Sequence, residues 1–441
     1  MEAPHYRLVE GNCGVFGVYS PKNCLDFLQK GLYDLQHRGE GCWGISISDR
    51  RKFSLQTHKG LVFDFKEDTV KNGTFAIGNV SLKDPQPIWL SSRIGEFTTA
   101  FEGNVNNLAE LCKGLRGRGG SFTTKYDVEV LAKLVAEGED VVDGIEKMAE
   151  QVRGSYCQVF LNEYGVYAVR DPFGFKPLVL GERDGSYAVS SESCAFTHIK
   201  MNLVRDVQPG EIIHIDESGF ETVGRLESRR HAHCAFEWAY IARIDSIIEE
   251  IPVKRARSKL GYKLASGDDL KVDVVSAVPM SGMGSALGYE FESGIPYDEV
   301  YRYNVHWGRS YLPLTQEERS RIADYKLSVI QEAVKGKKIV LCDDSIVRGT
   351  QIREKVRELK EAGAKEVHVR IASPKLVAPC RYCISTRAYE ELIATRLSTE
   401  EIRRYIMADS LRFNTLEEFV DAIGLPKKEL CLACFTGDYP L

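Results

Sequence analysis

Two adjacent carboxylates, Asp343 and Asp344, close an apolar run and are followed at once by Ser345, Arg348, Gly349 and Thr350. The run Lys337-Lys338-Ile339-Val340-Leu341 reads as a buried strand, and Gln351 to Lys360 carries a helical pattern. A strand, a tight loop and a helix N-terminus make an anion site, because free backbone N–H groups and the helix dipole both favour phosphate. Gly349 lets the backbone come close to a ligand. Neighbouring acids accept hydrogen bonds from a sugar diol. Phosphate plus diol points to a phosphorylated ribose.

Other residues invite chemistry of their own. Cys13 opens the apolar segment Cys13-Gly14-Val15-Phe16-Gly17 after a twelve-residue polar leader. Val278-Pro279-Met280-Ser281-Gly282-Met283-Gly284 offers Ser281 and glycines that permit close backbone approach to a diphosphate. The chain has twelve cysteines. A disulfide framework is not expected in a large enzyme of a reducing compartment. Cys24 and Cys112 read as packing residues. On spacing alone, Cys380-x-x-Cys383 and Cys431-x-x-Cys434 suit four-thiolate zinc.

The elements that must position these groups fall into two halves. To about residue 228 the chain reads as short strands (Cys13–Tyr19, 44–48, 157–161) with a few helices, among them 126–135. Such a pattern implies layered sheets with helices outside. The charged, aperiodic stretch 221–230 marks a boundary. Beyond it, strands at 272–278, 338–342 and 366–372 alternate with helical segments, the rhythm of a parallel sheet covered on both faces. The expected fold class is α/β and α+β, with a leader over 1–12, a first domain over 13–228 and a second over 229–441. A net charge of −5 disfavours a general nucleic-acid role. No apolar run is long enough to span a bilayer, and the first residues lack a signal-peptide profile, so a cytoplasmic protein with no membrane partner is expected.

The stretch from Asp343 to Thr350 resembles the ribose-phosphate signature of type I phosphoribosyltransferases. Together with Cys13-Gly14-Val15-Phe16-Gly17, Leu35-Gln36-His37-Arg38-Gly39 and Ser190-Ser191-Glu192-Ser193-Cys194-Ala195-Phe196, it makes the chain resemble the glutamine phosphoribosylpyrophosphate amidotransferases nearly end to end. That resemblance implies an αββα glutaminase-like domain of the N-terminal nucleophile type, then a phosphoribosyltransferase domain. It implies formation of 5-phosphoribosylamine from phosphoribosylpyrophosphate and glutamine or ammonia in purine synthesis. Cys13 would be the nucleophile with its own α-amine as base, Gly103 an oxyanion donor and Asp127 a ligand of the glutamine amine. Ser281 and Arg309 would bind diphosphate with Mg²⁺. Asp343 and Asp344 would hold the ribose, while Ser345, Arg348, Gly349 and Thr350 frame the 5-phosphate. Cys234, Cys380, Cys431 and Cys434 match the ligands of a structural [4Fe–4S] cluster in the iron–sulfur branch. Inhibitory purine nucleotides and a homodimer or homotetramer are implied as well.

The glutamine site departs from the family pattern. Ser81 stands where the family has the arginine that pairs with the glutamine carboxylate, and a serine cannot form that bidentate pair. Glu102 replaces the oxyanion asparagine, and loss of one such donor costs on the order of 10²–10³ in rate. An ionised Glu102 is expected to repel the oxyanion, with Lys83 a candidate for the missing positive charge. Met280 replaces an acid of the diphosphate loop, and the loop from Tyr303 to Tyr311 keeps Gly308 and Arg309 while gaining His306. Two alternatives follow. One is a transferase using free ammonia or another small nucleophile. The other is a non-catalytic, nucleotide-sensing paralogue.

Overall fold

Strands buried on both faces dominate the first half of the chain. The structure, a computed structural model, describes residues 13–50, 52–62, 73–124, 126–228, 230–304, 327–382, 386 and 388–441. Seven antiparallel strands lie in the spatial order Asn202–Asp206, Val179–Arg183, Ser186–Ser190, Cys13–Tyr19, Phe75–Ser81, Cys42–Ser48 and Phe53–Lys59. Six more form a second sheet, in the order Gly219–Arg225, Glu211–Asp216, Gly165–Arg170, Gly154–Asn162, Gly95–Val105 and Ile88–Ser92. Val15, Ile77, Ala100, Val159 and Ile213 fill the space between the sheets.

Helices close the two outer faces. Leu28 and Leu32 of the helix Leu25–Asp34 pack on Phe16, Val18 and Val80. The second sheet is covered by Leu108–Gly117, Asp127–Val135 and Val141–Gln151. In the last of these, Val141, Gly144, Ile145 and Met148 are buried at helical spacing, and the Asp140 side chain caps the start by accepting from the Asp143 N–H at 2.9 Å. The result is a helix–sheet–sheet–helix stack, as the strand-rich pattern implies. The expected helix over 126–135 starts at Asp127.

The second half is built on four parallel strands in the order Val274–Ala277, Lys338–Asp343, Glu366–Ile371 and Ser410–Phe413. Val253–Ala265 and Met283–Ser293 cover one face, and Thr350–Glu361 with Thr399–Tyr405 the other. A parallel sheet needs both covers, because its strands are apolar on both sides. A short hairpin, Tyr301–Tyr303 with Leu327–Val329, flanks residues 305–326. Among the described residues no helix is long and apolar enough to cross a membrane.

The two halves are woven together between 233 and 252. Glu249 meets the buried Arg170 at 2.7 Å, and the Ile247 N–H donates to Ser193 Oγ at 2.7 Å. From further along the chain, Tyr382 stacks on Phe175 with ring centroids 4.1 Å apart, and Asn104 Nδ2 donates to the Arg381 carbonyl at 2.7 Å.

The helices Val253–Ala265 and Met283–Ser293 approach so closely that two glycines are obligatory. A Cβ on Gly261 would stand 1.8 Å from the Ser285 carbonyl oxygen, and one on Gly288 would stand 1.9 Å from that of Ser258. Backbone cannot retreat as a side chain can, so even alanine must push the helices apart. Overpacking typically costs 1–3 kcal/mol. We expect Gly261→Ala or Gly288→Ala to lose about 3 kcal/mol, read as a lower urea midpoint. A midpoint equal to wild type would show that the crossing has slack.

Candidate functional site

The acid pair sits at the carboxyl end of Lys338–Asp343, next to the end of Val274–Ala277, with Ala277 opposite Cys342 in register. Adjacent parallel strands deliver their following loops to one edge of the sheet, where ligands of such folds bind. The Val278 N–H donates to the Cys342 carbonyl at 2.9 Å, which ties the two loops together. Ser281 Oγ donates to Asp343 Oδ1 at 2.6 Å, and the Asp344 N–H donates to the same oxygen at 2.9 Å. Asp344 accepts from Ser345 Oγ at 2.5 Å. Burial and the charge of Asp344 push the Asp343 carboxyl well above its ordinary range. Burial also raises Asp344. Two carboxylates in contact, Asp344 buried and Asp343 half-buried, favour whatever brings hydrogen-bond donors or positive charge.

Gly349, in the left-handed region at φ +77°, turns the chain into the helix Thr350–Glu361. No side chain caps that helix and its first turn carries no acid. Its first N–H groups therefore face the loop as an anion cradle. Arg348 is exposed and its guanidinium contacts Glu391 at 2.6 Å. Met280 is exposed beside Ser281, with φ +71°. The structure thus brings Ser281, Asp343, Asp344, Ser345, Gly349 and Thr350 to one edge. Arg309 and His306 lie outside the described residues.

Cys13 begins the central strand of the seven-stranded sheet and is 1% exposed. Burial, and then the charge of Glu102, push its thiol well above the ordinary value. Asp84 and Asp127 add to that rise and Lys176 opposes it. Ser81, paired with Cys13 in register, donates its hydroxyl to the Asp84 carbonyl at 2.7 Å. Gly103 follows Glu102 and lies opposite Tyr156, and Asp127, which starts its helix, is among the charges that act on the Cys13 thiol.

Glu102 does not stand alone as a bare charge. Its side chain projects into the gap between the sheets, on the same strand face as Ala100. Arg38 Nη2 meets Glu102 at 2.5 Å and Glu237 at 2.9 Å, and its Nη1 contacts Glu192. Arg38 Nε donates to the Cys13 carbonyl at 3.0 Å. Lys176 Nζ stands 3.4 Å from both Glu102 and Glu237, and Ser191 Oγ donates to Glu102 at 2.5 Å. His37 meets Glu192 at 2.7 Å. Burial alone would raise the Glu192 carboxyl, but His37 and Arg38 hold it well below the usual range. Lys83, the candidate cation, is exposed; the buried cations at Glu102 are Arg38 and Lys176. Arg38 lies in a segment the sequence singles out. Lys176 and Glu237 carried no such signal, since nothing in Phe175-Lys176-Pro177 or Phe236-Glu237-Trp238 marks a buried charge.

Cys234 and Cys431 face each other in register across the short parallel pair His233–Cys234 and Leu430–Cys431. Cys434 follows in the helix Ala433–Thr436, and its carbonyl accepts from the Val377 and Ala378 N–H groups. Burial first, then the neighbouring thiols Cys234 and Cys380, push Cys431 and Cys434 well above the ordinary thiol value. The four cysteines therefore converge. Among the described residues no three acidic, histidine or cysteine side chains are already drawn together tightly enough to hold a metal ion. The described cysteines form no disulfide. Cys383 lies outside the described residues.

Comparison with known proteins covers nearly the whole chain. Residues 75–198 match the glutamine amidotransferase domain model. The amidophosphoribosyltransferase of Archaeoglobus fulgidus is 39% identical over 450 residues, spanning 97% of this chain and 98% of that protein. That of Bacillus subtilis is 37% identical over 97% of this chain and 94% of its own length. The solved structure of the B. subtilis glutamine phosphoribosylpyrophosphate amidotransferase, complexed with ADP and GMP, superposes with a TM-score of 0.91 at 36% identity, covering 97% of each chain. A second structure, an allosteric regulatory enzyme of purine biosynthesis, also gives 0.91, at 37% identity.

The state of Cys13 has a direct readout. The thiolate is the reactive form, and a raised thiol leaves little of it at pH 8. We expect Cys13 to resist iodoacetamide in the folded protein at pH 8 and to react on unfolding, followed by peptide mass mapping. Rapid labelling of Cys13 in the folded state would contradict the sealed environment.

Proposed function

The chain belongs to the amidophosphoribosyltransferase family, and within that enzyme activity we propose that phosphoribosylpyrophosphate binds at the edge formed by Ser281 and the turn from Asp343 to Thr350. The observation that carries this reading is the uncapped N-terminus of Thr350–Glu361, entered through Gly349 shortly after an acid pair whose carboxyls are both raised. The 5-phosphate takes the N–H groups at Gly349 and Thr350, helped by Ser345 and Arg348. Asp343 and Asp344 accept the ribose hydroxyls, and Ser281 with Arg309 meets the diphosphate. The raised carboxyls fit a diol, which donates two hydrogen bonds. They equally fit Mg²⁺, which when bound would supply charge stabilisation to the departing diphosphate. The protein's own part is positioning the anomeric carbon and excluding water. The chemistry is displacement there, with nitrogen bonding as pyrophosphate leaves, giving 5-phosphoribosylamine as a precursor in purine synthesis.

The division into 13–228 and 229–441 assigns this transfer to the second unit. The first unit carries Cys13, Gly103 and Asp127 at the positions of a glutaminase. Cys234, Cys380, Cys431 and Cys434 are the ligands we assign to a [4Fe–4S] cluster. Their number and convergence support thiolate ligation, and a metal would reverse the upward push on Cys431 and Cys434. It would pin the C-terminal segment to the start of the second unit. An aqueous, reducing compartment such as the cytoplasm suits a chain whose described cysteines form no disulfide. The ADP and GMP held by the B. subtilis relative support purine nucleotides as inhibitory ligands here, in a homodimer or homotetramer.

Hydrogen bonds to charged groups contribute about 1.5–3 kcal/mol. Asp343→Asn or Asp344→Asn should therefore weaken phosphoribosylpyrophosphate binding by roughly 10–100-fold in calorimetry. Unchanged affinity in both variants would move the sugar elsewhere.

The cluster has its own readout. Protein purified without oxygen should carry iron and acid-labile sulfide in equal amounts, with visible absorbance bleached by dithionite. Cys434→Ser should lose all three, whereas stoichiometric zinc in the wild type would reassign the site.

A further inference from the structure

We infer that the nitrogen donor is free ammonia and not glutamine, because the gap beside Cys13 is filled by the buried ionic network of Glu102, Arg38, Lys176, Glu192 and Glu237. This rests on the transferase reading above and refines it at the nitrogen donor.

A glutamine hydrolase needs a reactive thiolate, donors aimed at the developing oxyanion, and a cation for the substrate carboxylate. At Cys13 the carboxylate-binding arginine and the side-chain oxyanion donor are replaced by Ser81 and Glu102, the buried cations are already committed, and of the expected donors the Gly103 N–H remains. The thiol is buried, and its largest charged influence is an acid, Glu102. A thiolate beside the Glu102 carboxylate meets repulsion where stabilisation is required, and so does an oxyanion. The two buried cations are saturated. Arg38 spends its guanidinium on Glu102, Glu192, Glu237 and the Cys13 carbonyl. Lys176 stands between Glu102 and Glu237. Ser81 is engaged with the Asp84 carbonyl.

The network is also a structural joint. Glu237 belongs to the second half, at the head of the turn Glu237–Ile241, and it is 1% exposed. Glu192 reaches across the same seam, accepting from Ser246 Oγ at 2.7 Å and from the Arg243 N–H at 2.8 Å. To admit a substrate, the protein would have to break ion pairs that have no water to fall back on. Removing one partner of such a pair leaves an uncompensated charge in the interior and is strongly destabilising.

Ammonia asks nothing of this site. Its lone pair forms the bond to the anomeric carbon while the bond from that carbon to the diphosphate oxygen breaks, and the electron pair leaves with pyrophosphate. The surplus proton on nitrogen passes to solvent.

The test uses the full-length chain with Mg²⁺ and phosphoribosylpyrophosphate, and supplies glutamine, ammonium chloride or neither. Glutamate and pyrophosphate are measured separately. We expect pyrophosphate with ammonium, rising with pH as free ammonia increases, and glutamate at the blank level in every arm. Glutamate released in step with pyrophosphate would overturn the inference. Pyrophosphate absent from every arm would sink the transferase reading, and the glutamate measurement would still decide the inference about Cys13.

The joint is tested by Glu102→Gln, which keeps the shape and removes the charge. We expect a melting temperature several degrees lower, with the ammonium-dependent rate per folded molecule unchanged. Failure of this variant to fold supports the joint equally, and Ser191→Ala, which removes one hydrogen bond to Glu102, then supplies the smaller fall. Equal melting temperatures for wild type and Glu102→Gln would remove the structural role.

Discussion

A guanidinium shut away from water must find acceptors for its donors, and Arg38 finds them on both halves of the molecule. The Cys13 carbonyl fixes it to the central strand, Glu102 to the facing sheet, and Glu237 to the start of the second half. Leaving any of these carboxylates without a cation would strand a charge in a medium that solvates it poorly. The relative placement of the two sheets and of the first turn of the second half is thereby set by one side chain and its counter-ions. Burial keeps the contacts free of salt screening.

The same seam leads to the sugar-phosphate edge. Trp238 and Ala242, at either end of the turn that begins with Glu237, offer their carbonyls to the buried Arg257 at 2.9 and 2.7 Å. Burial lowers the Arg257 guanidinium, and the charge of Asp344 works against that fall. Arg257 lies in the helix Val253–Ala265, which can reach this place because Gly261 allows the crossing with Met283–Ser293. Backbone packing, a buried cation and the acid pair are thus contiguous. This places the ends of the parallel strands beside the sandwich.

Much of this was legible in the chain. Apolar runs of strand length, and the change from antiparallel to alternating rhythm, indicate the two architectures, because burial on one or both faces writes itself into periodicity. The acid pair, Gly349 and the helix after it are contiguous, so local sequence carries the whole anion cradle. The glutamine side was only half legible. Ser81 and Glu102 mark the departure, but the expectation of a bare Glu102 charge needed the structure, since its partners come from positions 38, 176, 191 and 237. Lys83 looked like the compensating cation because it is near in sequence. Lys176 is near in space, and spatial neighbours across sheets leave no trace in spacing. The surface pairing of Arg348 with Glu391 likewise joins residues too far apart in the chain for spacing to show it.

Mutual neutralisation makes the positions of this network interdependent. Changing Glu102 to asparagine removes one of the carboxylates that hold Arg38 and Lys176, and the buried cations then lack a counter-ion. Restoring the Ser81 position to arginine brings a further positive charge into the same closed space. Each step back is unfavourable by itself, and only several together regain a balanced interior. An ionic core of this kind tolerates change only as a set, because its charges balance one another.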